Sequence, residues 1–464
     1  MKIEFHGADR GVTGSCHLIE CNGKRLLIDC GMYQGGRELN EENAEGFGFE
    51  PHDIDFVLLT HAHLDHCGRI PLLAKRGFHG EIVTTAASRE LARLVMLDSA
   101  HLHEEDAARQ ARQNHHGHGH TNKDSTAPLY SVLDALNTLD FFGRVASYDT
   151  PMQIAPGIRA TFIDAGHILG SASILLELAA GDSRRTILFS GDLGNSGRPI
   201  LRNPTPPPKV DVVVMETTYG DRLHKPIGPS VDELYTAIGD AFRRGGNVVI
   251  PTFALERAQE LLYFLHAGIE SDRLPRSLQV FLDSPMAISA TEIFEHHPEC
   301  YNAATRELFR EHRDPFSFSG LHFTRESAES MALNRFTGGI VIMAGSGMCT
   351  GGRVRHHLMQ NLAREHSAVI FVGYAGRGTL ARQIIDGATT VRIFGEEIAV
   401  RANIHTINGF SAHADQAELL AWDAQTGAAR TFLVHGEPDT MQHFASLLKN
   451  TTVDMPSLHQ SFAI

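Results

Sequence analysis

The sequence is poor in two features that define large classes of protein. Its six cysteines are scattered along 464 residues without a CxxC pair, which argues against a disulfide framework and against a thiolate zinc finger. No apolar run reaches the roughly 18 residues that a membrane-spanning helix needs. The first residues, MKIEFHGADRG, also lack the apolar core of a secretory signal. We therefore expect a cytoplasmic protein without a membrane span.

Positive charge is scarce as well. Lys and Arg number 41 against 55 Asp and Glu, which gives a net charge of −14 at pH 7. A chain this acidic does not offer a general basic coat to polyanions. Any contact with nucleic acid must therefore depend on local positive charge or on metal ions.

What the chain does contain is an ordinary share of apolar residues (42%) and an unusual number of histidines (28). The apolar share supports a sizeable core, and the length favours roughly two to three domains. Four of the histidines form the segment HHGHGH at 115–120. We interpret it as a solvated loop that picks up metal adventitiously, although a lid or linker is an open alternative.

The order of predicted elements indicates a split organisation. The first third contains short strands, with a hairpin turn at Asn22-Gly23, and the proline cluster at 204–209 is typical of a boundary. Near-continuous apolar strands and amphipathic helices then alternate, as a parallel sheet buried on both faces requires. The helices predicted from this spacing are at 86–113, 230–243, 255–266, 286–296, 354–364 and 379–386. Short strands return from about 390, so a parallel α/β segment is inserted into a domain whose sequence is divided between the two ends.

The strongest chemical signal is HAHLDH, which directly follows the apolar strand DFVLLT. It places His61, His63, Asp65 and His66 at one strand end, where a tight turn can direct them toward two neighbouring centres. Imidazole together with carboxylate suits zinc, and a set without thiolate suits a hydrolytic site with open positions.

Four further residues follow apolar strands or lie in turns of small residues. They are His167 in AGHILGSAS, Asp192 in SGDLG, His413 in GFSAHAD and His435 in TFLVHGE. Each is weak evidence alone, because a single His or Asp at a strand end is more often structural. Together with HAHLDH they predict a sandwich that carries its ligands at one edge.

These motifs resemble a known family. THAHLDH, DAGHILGS, SGDLG and LLIDCG resemble the metallo-β-lactamase fold, and METTYGDRLH, GFSAHAD, LVHGE and the inserted segment resemble its β-CASP branch. That branch contains ribonuclease J, the pre-mRNA 3′-end cleavage subunit and short prokaryotic RNA-processing enzymes. The resemblance implies an α/β fold, an αββα sandwich with an inserted parallel α/β β-CASP domain. We expect the first part of the sandwich at 1–210, the insertion at 211–390 and the second part at 391–464.

The resemblance also implies two zinc ions per chain and a role for each motif. One ion would be held by His61, His63 and His167, and the other by Asp65, His66 and His435. Asp192 would bridge the pair, and Asp29 would orient a ligand histidine without binding metal. A histidine at the position of His435 resembles RNA-directed members of the branch, so we expect single-stranded RNA as the substrate.

The expected chemistry is hydrolysis of a phosphodiester. Two metal ions about 3.5–4 Å apart lower the pKa of a shared water and clamp the attacking and leaving oxygens. His413 is the predicted general acid, since an unperturbed imidazole titrates near neutral pH. Glu216 would orient His413 or raise its pKa, and we count Asp65 with them as catalytic.

Local positive charge is available in the inserted segment. Glycine-rich turns can direct backbone N–H groups and guanidinium groups at a phosphate, although a plain strand-to-helix connection is the commoner reason for such turns. The RNA contacts predicted on this basis are Ser346, Arg353, Arg355, Arg377 and Arg257. Tyr219 and Phe253 are candidates for base stacking, and core packing explains them equally well.

The leading hypothesis is a zinc-dependent endoribonuclease. Three alternatives stay open: a 5′–3′ exoribonuclease of the ribonuclease J type, a metallo-β-lactamase-fold hydrolase of small esters, and an inactive RNA-binding scaffold. A small substrate needs neither the long insertion nor His413, and a dead scaffold does not need a complete ligand set. A homodimer is compatible with the sequence.

Overall fold

Alternating apolar residues in the first and last parts of the chain form two sheets, and the middle part forms a third. The computed structural model describes residues 1–35, 41–116, 127–373, 375–376 and 378–464. Arg377 and the part of the histidine-rich segment from 117 to 120 lie outside the described residues. The chain divides into two compact units. The first comprises Met1–Ser196, Asn203–Leu223 and His413–Ile464, and the second comprises Gly197–Arg202 and His224–Ala412.

The first unit contains two seven-stranded sheets, in the orders β22-β1-β2-β3-β4-β5-β6 and β21-β20-β11-β10-β9-β8-β7. Their strands are β1 (Lys2–Phe5), β2 (His17–Cys21), β3 (Lys24–Ile28), β4 (Phe56–Leu58), β5 (Glu81–Thr85), β6 (Phe142–Ala146), β7 (Met152–Ala155), β8 (Ile158–Asp164), β9 (Ala172–Ala180), β10 (Ser183–Phe189), β11 (Val212–Glu216), β20 (Arg430–Val434), β21 (Thr452–Asp454) and β22 (Ser461–Ala463). Strands β3 to β6 run parallel to one another, and so do β10, β11, β20 and β21.

The core of this unit lies between the two sheets. Phe5 of the first sheet packs in one cluster with Phe162, Phe189 and Phe432 of the second, because alternate side chains of each strand point to the same face. The outer face of the second sheet is covered by helices Gln416–Thr426 and Pro438–Leu447. The described helices beside the first sheet are Leu64–Cys67, Ile70–Lys75, Ala86–His116 and Val132–Thr138. The result is a four-layer αββα sandwich.

The second unit is a parallel α/β segment, as the alternating pattern predicts. Its six-stranded sheet has the order β14-β13-β15-β12-β16-β19, and β17 and β18 form a separate hairpin. The strands are β12 (Val248–Pro251), β13 (Gln279–Leu282), β14 (Leu321–Phe323), β15 (Ile340–Ala344), β16 (Ala368–Phe371), β17 (Thr390–Ile393), β18 (Glu396–Ala399) and β19 (Asn403–Thr406). The described helices are Ile227–Arg243, Arg257–Glu270, Pro285–Glu295, Ala303–Arg310, Ser327–Ala332, Val354–Asn361 and Leu380–Ile385.

The bounds of the compact units differ from the domain boundaries expected at 211 and 391. Strand β11 pairs with β10 and β20 of the sandwich, so residues up to Leu223 lie in the first unit. Strand β19 pairs with β16, so residues 391–412 lie in the second. Sequence pattern alone shows neither pairing, because a short strand can join either sheet.

Two local predictions, a hairpin turn and a long helix, are confirmed by the structure. The β2–β3 hairpin turns at Asn22 and Gly23, both with positive φ (51° and 72°), as a two-residue turn matched to strand twist requires. The helix predicted at 86–113 runs from Ala86 to His116. No helix within the described ranges is both long and apolar enough to cross a membrane.

Candidate metal centre

The predicted ligands converge because the strands that precede them end at the same edge. Strands β8 and β10 are both antiparallel to β9 and therefore point the same way, and β11 and β20 run parallel to β10. The first sheet contributes the turn after β4. The backbone N–H of Ala172, the first residue of β9, donates to the carbonyl of Thr60 at 2.9 Å. This hydrogen bond joins the turn to the second sheet.

Three histidines and an aspartate form the first candidate group, His61, His63, His167 and Asp192. The Nδ1 atom of His63 lies 3.2 Å from Nε2 of His61 and 3.2 Å from Nε2 of His167. Oδ2 of Asp192 lies 3.5 Å from His61 Nε2 and 3.6 Å from His167 Nε2. One ligand atom of each residue therefore faces a common point.

The second candidate group consists of Asp65, His66 and His435. Nε2 of His435 lies 3.5 Å from Oδ2 of Asp65, and Nε2 of His66 lies 3.4 Å from Oδ2 of Asp192. The other oxygen of Asp192, Oδ1, lies 3.7 Å from Nδ1 of His435. Asp192 is thus in contact with both groups.

The donor atoms fit divalent metal ions. Among the described residues, the buried atoms His66 Nε2, His435 Nε2 and Asp192 Oδ1 have no hydrogen-bond partner, although buried polar atoms normally have one. Burial, as the main cause, lowers the pKa of His61 and His167 well below its usual range and lowers the pKa of His63 to about 4. These three imidazoles are therefore neutral, the form that binds metal.

In the second group, the surroundings of His66 and His435 favour the protonated form of each imidazole. Burial acts to lower the pKa of His66 and His435, but Asp192 and the other carboxylate beside each ring outweigh it and raise both pKa values. Asp192 itself is buried, yet the surrounding histidines hold its pKa well below the usual range. In the structure these carboxylates favour protonated imidazoles. A divalent cation at the same place would supply the positive charge instead.

Asp29 and Thr60 fix the orientation of two of these rings. Oδ2 of Asp29 lies 2.7 Å from Nδ1 of His66, the contact expected of a residue that orients a ligand. The Thr60 backbone N–H and hydroxyl both donate to Asp29 at 2.8 Å. The same hydroxyl oxygen lies 3.0 Å from Nδ1 of His61. With Nδ1 engaged, Nε2 of each ring is left to face the centre.

Two further hydroxyl residues were not predicted. The Thr218 hydroxyl contacts Nδ1 of His435 at 3.1 Å and donates to the His435 carbonyl at 3.2 Å. The Ser171 hydroxyl accepts from the backbone N–H of His167 at 3.0 Å. The signal that could have identified them is a Ser or Thr within a few residues of a strand end that carries a ligand.

A third group contains Asp192, Glu216 and His413. Nδ1 of His413 lies 3.1 Å from Oε2 of Glu216 and 4.0 Å from Oδ2 of Asp192. The backbone N–H of Leu193 donates to Oε1 of Glu216 at 2.5 Å and so fixes this carboxylate. The His413 side chain is 20% exposed, whereas Glu216 is 1% exposed, so the imidazole is the accessible member of the pair.

The charge on this imidazole is set by its neighbours. Burial lowers the pKa of His413, but the carboxylates of Glu216, Asp192 and Asp65 outweigh it and raise the pKa to about 9. These carboxylates therefore favour the protonated form of His413.

Close backbone packing under the HAHLDH turn gives a stability prediction. A Cβ at Gly31 would lie 1.6 Å from the carbonyl oxygen of Asp65, whereas one at Gly11 would meet nothing within 4 Å. We expect Gly31→Ala to lower the free energy of unfolding by about 1–3 kcal/mol, the usual cost of overpacking. The control Gly11→Ala should unfold like the parent in urea titrations. Equal midpoints for the two variants would contradict this packing.

The predicted RNA contacts lie in the second unit, and the structure shows how several are engaged. The Arg353 guanidinium donates to Asp283 (2.7 Å) and to the carbonyls of Thr324 (3.0 Å) and Arg325 (2.6 Å). Arg257 is buried and paired with Glu260. A phosphate contact by either residue stays a prediction, since both guanidinium groups already have protein partners.

The other two described candidates are less constrained. The Arg355 guanidinium lies over the Phe394 ring at 4.4 Å. The Ser346 hydroxyl is half-buried and contacts Thr350 and Gly351 of its own turn, at 3.4 to 3.5 Å.

The sandwich with histidines and aspartates at one edge is the arrangement of a metallo-hydrolase, and sequence comparison agrees. Residues 9–252 match the Metallo-beta-lactamase superfamily, residues 258–384 match the Beta-Casp domain, and residues 397–456 match the Zn-dependent metallo-hydrolase RNA specificity domain. The chain therefore belongs to the metallo-β-lactamase superfamily and carries an inserted Beta-Casp domain, which confirms the fold class and family predicted from the motifs.

Three relatives cover almost the whole chain. Ribonuclease TTHA0252 of Thermus thermophilus is 39% identical over 97% of this chain and 96% of its own length. Transcription termination factor FttA of Pyrococcus horikoshii is 32% identical over 100% of this chain and 69% of its own length. An RNase J-like protein of Methanocaldococcus jannaschii is 29% identical over 97% of this chain and 96% of its own length.

Proposed function

We propose that this chain is a zinc-dependent ribonuclease that cuts single-stranded RNA internally. The observation that carries the proposal is the arrangement around Asp192. Two candidate metal groups and the His413–Glu216 pair all contact this one carboxylate. Relatives named as ribonucleases or RNase J-like proteins cover nearly the same length of chain, which supports RNA as the substrate.

In this proposal His61, His63 and His167 of the first group would hold one zinc ion, and Asp65, His66 and His435 of the second would hold the other. Asp192, which contacts residues of both groups, would serve both ions. Two bound zinc ions would supply Lewis acidity, by which a water is activated and the charge of the phosphate is offset. Asp29 and Thr60 keep the rings of the HAHLDH turn in place, so little reorganisation is needed when substrate binds.

His413 would donate the proton that the leaving oxygen needs. The carboxylates around it favour its protonated form, and its side chain is partly exposed, as the role of a general acid requires. Glu216, fixed by the Leu193 N–H, orients the imidazole and favours its charged form. Asp65 completes the set, since it is a ligand of the second group and also favours the charge on His413.

RNA rather than a small ester is the proposed substrate because of the family match, and not because of the overall charge. The chain has a net charge of −14, so binding of a polyanion must rely on the metal centre and on local contacts. The match to an RNA specificity domain at 397–456 agrees with this choice. We keep Ser346 and Arg355 as proposed phosphate contacts, with Arg353, Arg257 and Arg377 as further candidates.

The RNase J-like relative gives the second candidate function, a 5′–3′ exoribonuclease. A closed circular RNA separates the two, because it has no end from which an exonuclease can start. We expect the purified protein to linearise a labelled circular RNA and to cut the matching linear RNA, with both reactions stopped by a chelator. Degradation of the linear RNA alone would contradict the endonucleolytic proposal, and no cleavage of either would contradict the ribonuclease proposal.

A further inference from the structure

The parallel sheet of the second unit has a crevice that its topology defines. Strands β12 and β15 are neighbours in the sheet. The connection from β12 leads to β13, in one direction along the strand order, and the connection from β15 leads to β16, in the opposite direction. Because such crossovers are right-handed, connections that run in opposite directions place their helices on opposite faces. A crevice therefore opens beyond the carboxyl ends of β12 and β15, where open α/β sheets bind ligands.

An exposed aromatic ring lies just beyond the carboxyl end of β12. Phe253, two residues beyond β12, is 37% exposed. A Cβ at Gly347, in the turn after β15, would come within 2.8 Å of its ring, and a Cβ at Gly373, after β16, within 3.3 Å. The two glycines thus lie against one edge of the ring, and 37% of the residue stays exposed. This placement differs from that of a core phenylalanine such as Phe371, which is 2% exposed.

Polar groups lie beside the turn after β15, the turn whose Gly347 contacts the ring. A Cβ at Gly345 would lie 3.6 Å from the Ser284 hydroxyl and 3.8 Å from the Thr252 carbonyl. The half-buried hydroxyl of Ser346 belongs to the same turn. A flat apolar surface with hydroxyl and carbonyl groups beside it suits a ligand that has an aromatic part and a polar part.

We infer that Phe253 is a stacking platform for one nucleobase of single-stranded RNA, a binding site within the second unit. The inference rests on the proposed function for the identity of the ligand. Stacking on an aromatic ring tolerates any base and does not depend on charge. It therefore provides affinity for RNA in a chain whose net charge opposes binding.

The test uses the intact, metal-loaded protein and short oligoribonucleotides in which 2-aminopurine replaces one base at successive positions. Stacking on an aromatic ring quenches this fluorophore, and rapid mixing reads binding before cleavage. We expect quenching at one position with the parent. Phe253→Leu should lose it and bind about 5- to 150-fold more weakly, the range for one stacked base. Phe253→Trp should keep both, which separates loss of the ring from loss of folding.

Phe336→Leu is the matched control, because Phe336 is an exposed phenylalanine of the same unit (41%) and should bind and quench like the parent. Parent-like binding and quenching by Phe253→Leu would overturn the inference, even if the protein cleaves RNA. Quenching that depends on Phe253 in a protein that cuts no RNA would support the inference while the proposed function fails. A parent that binds no RNA would overturn both.

Discussion

Replacing His413 with Ala is expected to lower the rate of RNA cleavage by roughly 10²–10⁴-fold, the usual contribution of a general acid, while zinc content stays at the parent's level. The imidazole lies 3.1 Å from Glu216 and belongs to neither of the two metal groups that surround the HAHLDH turn. Its removal therefore takes away a proton donor without removing a proposed metal ligand. Cleavage would be followed with a labelled single-stranded RNA, and zinc by elemental analysis of the same samples.

The matched control is His52→Ala, since the His52 side chain is 62% exposed and lies outside the candidate centre. This variant should cleave RNA like the parent. A His413→Ala protein that cuts at the parent's rate would refute the acid assignment. A variant that has lost its zinc would instead give His413 a role in metal binding.

Asp192→Asn is expected to lower both zinc content and cleavage. The substitution keeps the shape of the side chain but removes the negative charge that faces His61, His66 and His167 at 3.4 to 3.6 Å. It also brings an N–H donor among ring nitrogens that must accept a metal. Zinc affinity should fall by more than the roughly 10- to 100-fold that changes outside the ligand set cause, because Asp192 contacts both groups.

Zinc affinity would be measured by competition with a chelator of known affinity, which does not depend on activity. The control Asp182→Asn alters an exposed aspartate in the turn between β9 and β10 and should match the parent in affinity and rate. Full occupancy of both sites in Asp192→Asn would contradict the position of this carboxylate between the two ions.

Where the signal is local, the sequence shows which side chains the fold brings together. His61, His63, Asp65 and His66 follow one apolar strand within six residues, and the turn that carries them is closed by backbone contacts of the same segment. His413 and Glu216 are 197 residues apart, and only the resemblance to a known family paired them. Their contact depends on β11 joining the sandwich, which no local pattern encodes.

The hydrogen bonds of Arg353 give a clearer example of what the sequence could not predict. Its glycine-rich turn predicts a phosphate site, yet the guanidinium donates to Asp283, 70 residues away in sequence. A buried carboxylate requires a partner, and the sequence does not show which cation supplies it. Thr60 and Thr218 also lie within a few residues of strand ends that carry candidate ligands, and the distances in the structure show which ring each hydroxyl contacts.

The most direct test of the account is the metal content of the purified protein, measured by elemental analysis without prior chelation and again after dialysis against a chelator. Turns from distant parts of the chain place seven candidate ligand residues in two groups, and Asp192 of the first group also contacts His66 of the second. We expect about two zinc ions per chain and loss of RNA cleavage when they are removed, since both groups are proposed to be needed. A protein that cleaves RNA without bound divalent metal, or that binds none at any concentration tested, would contradict it.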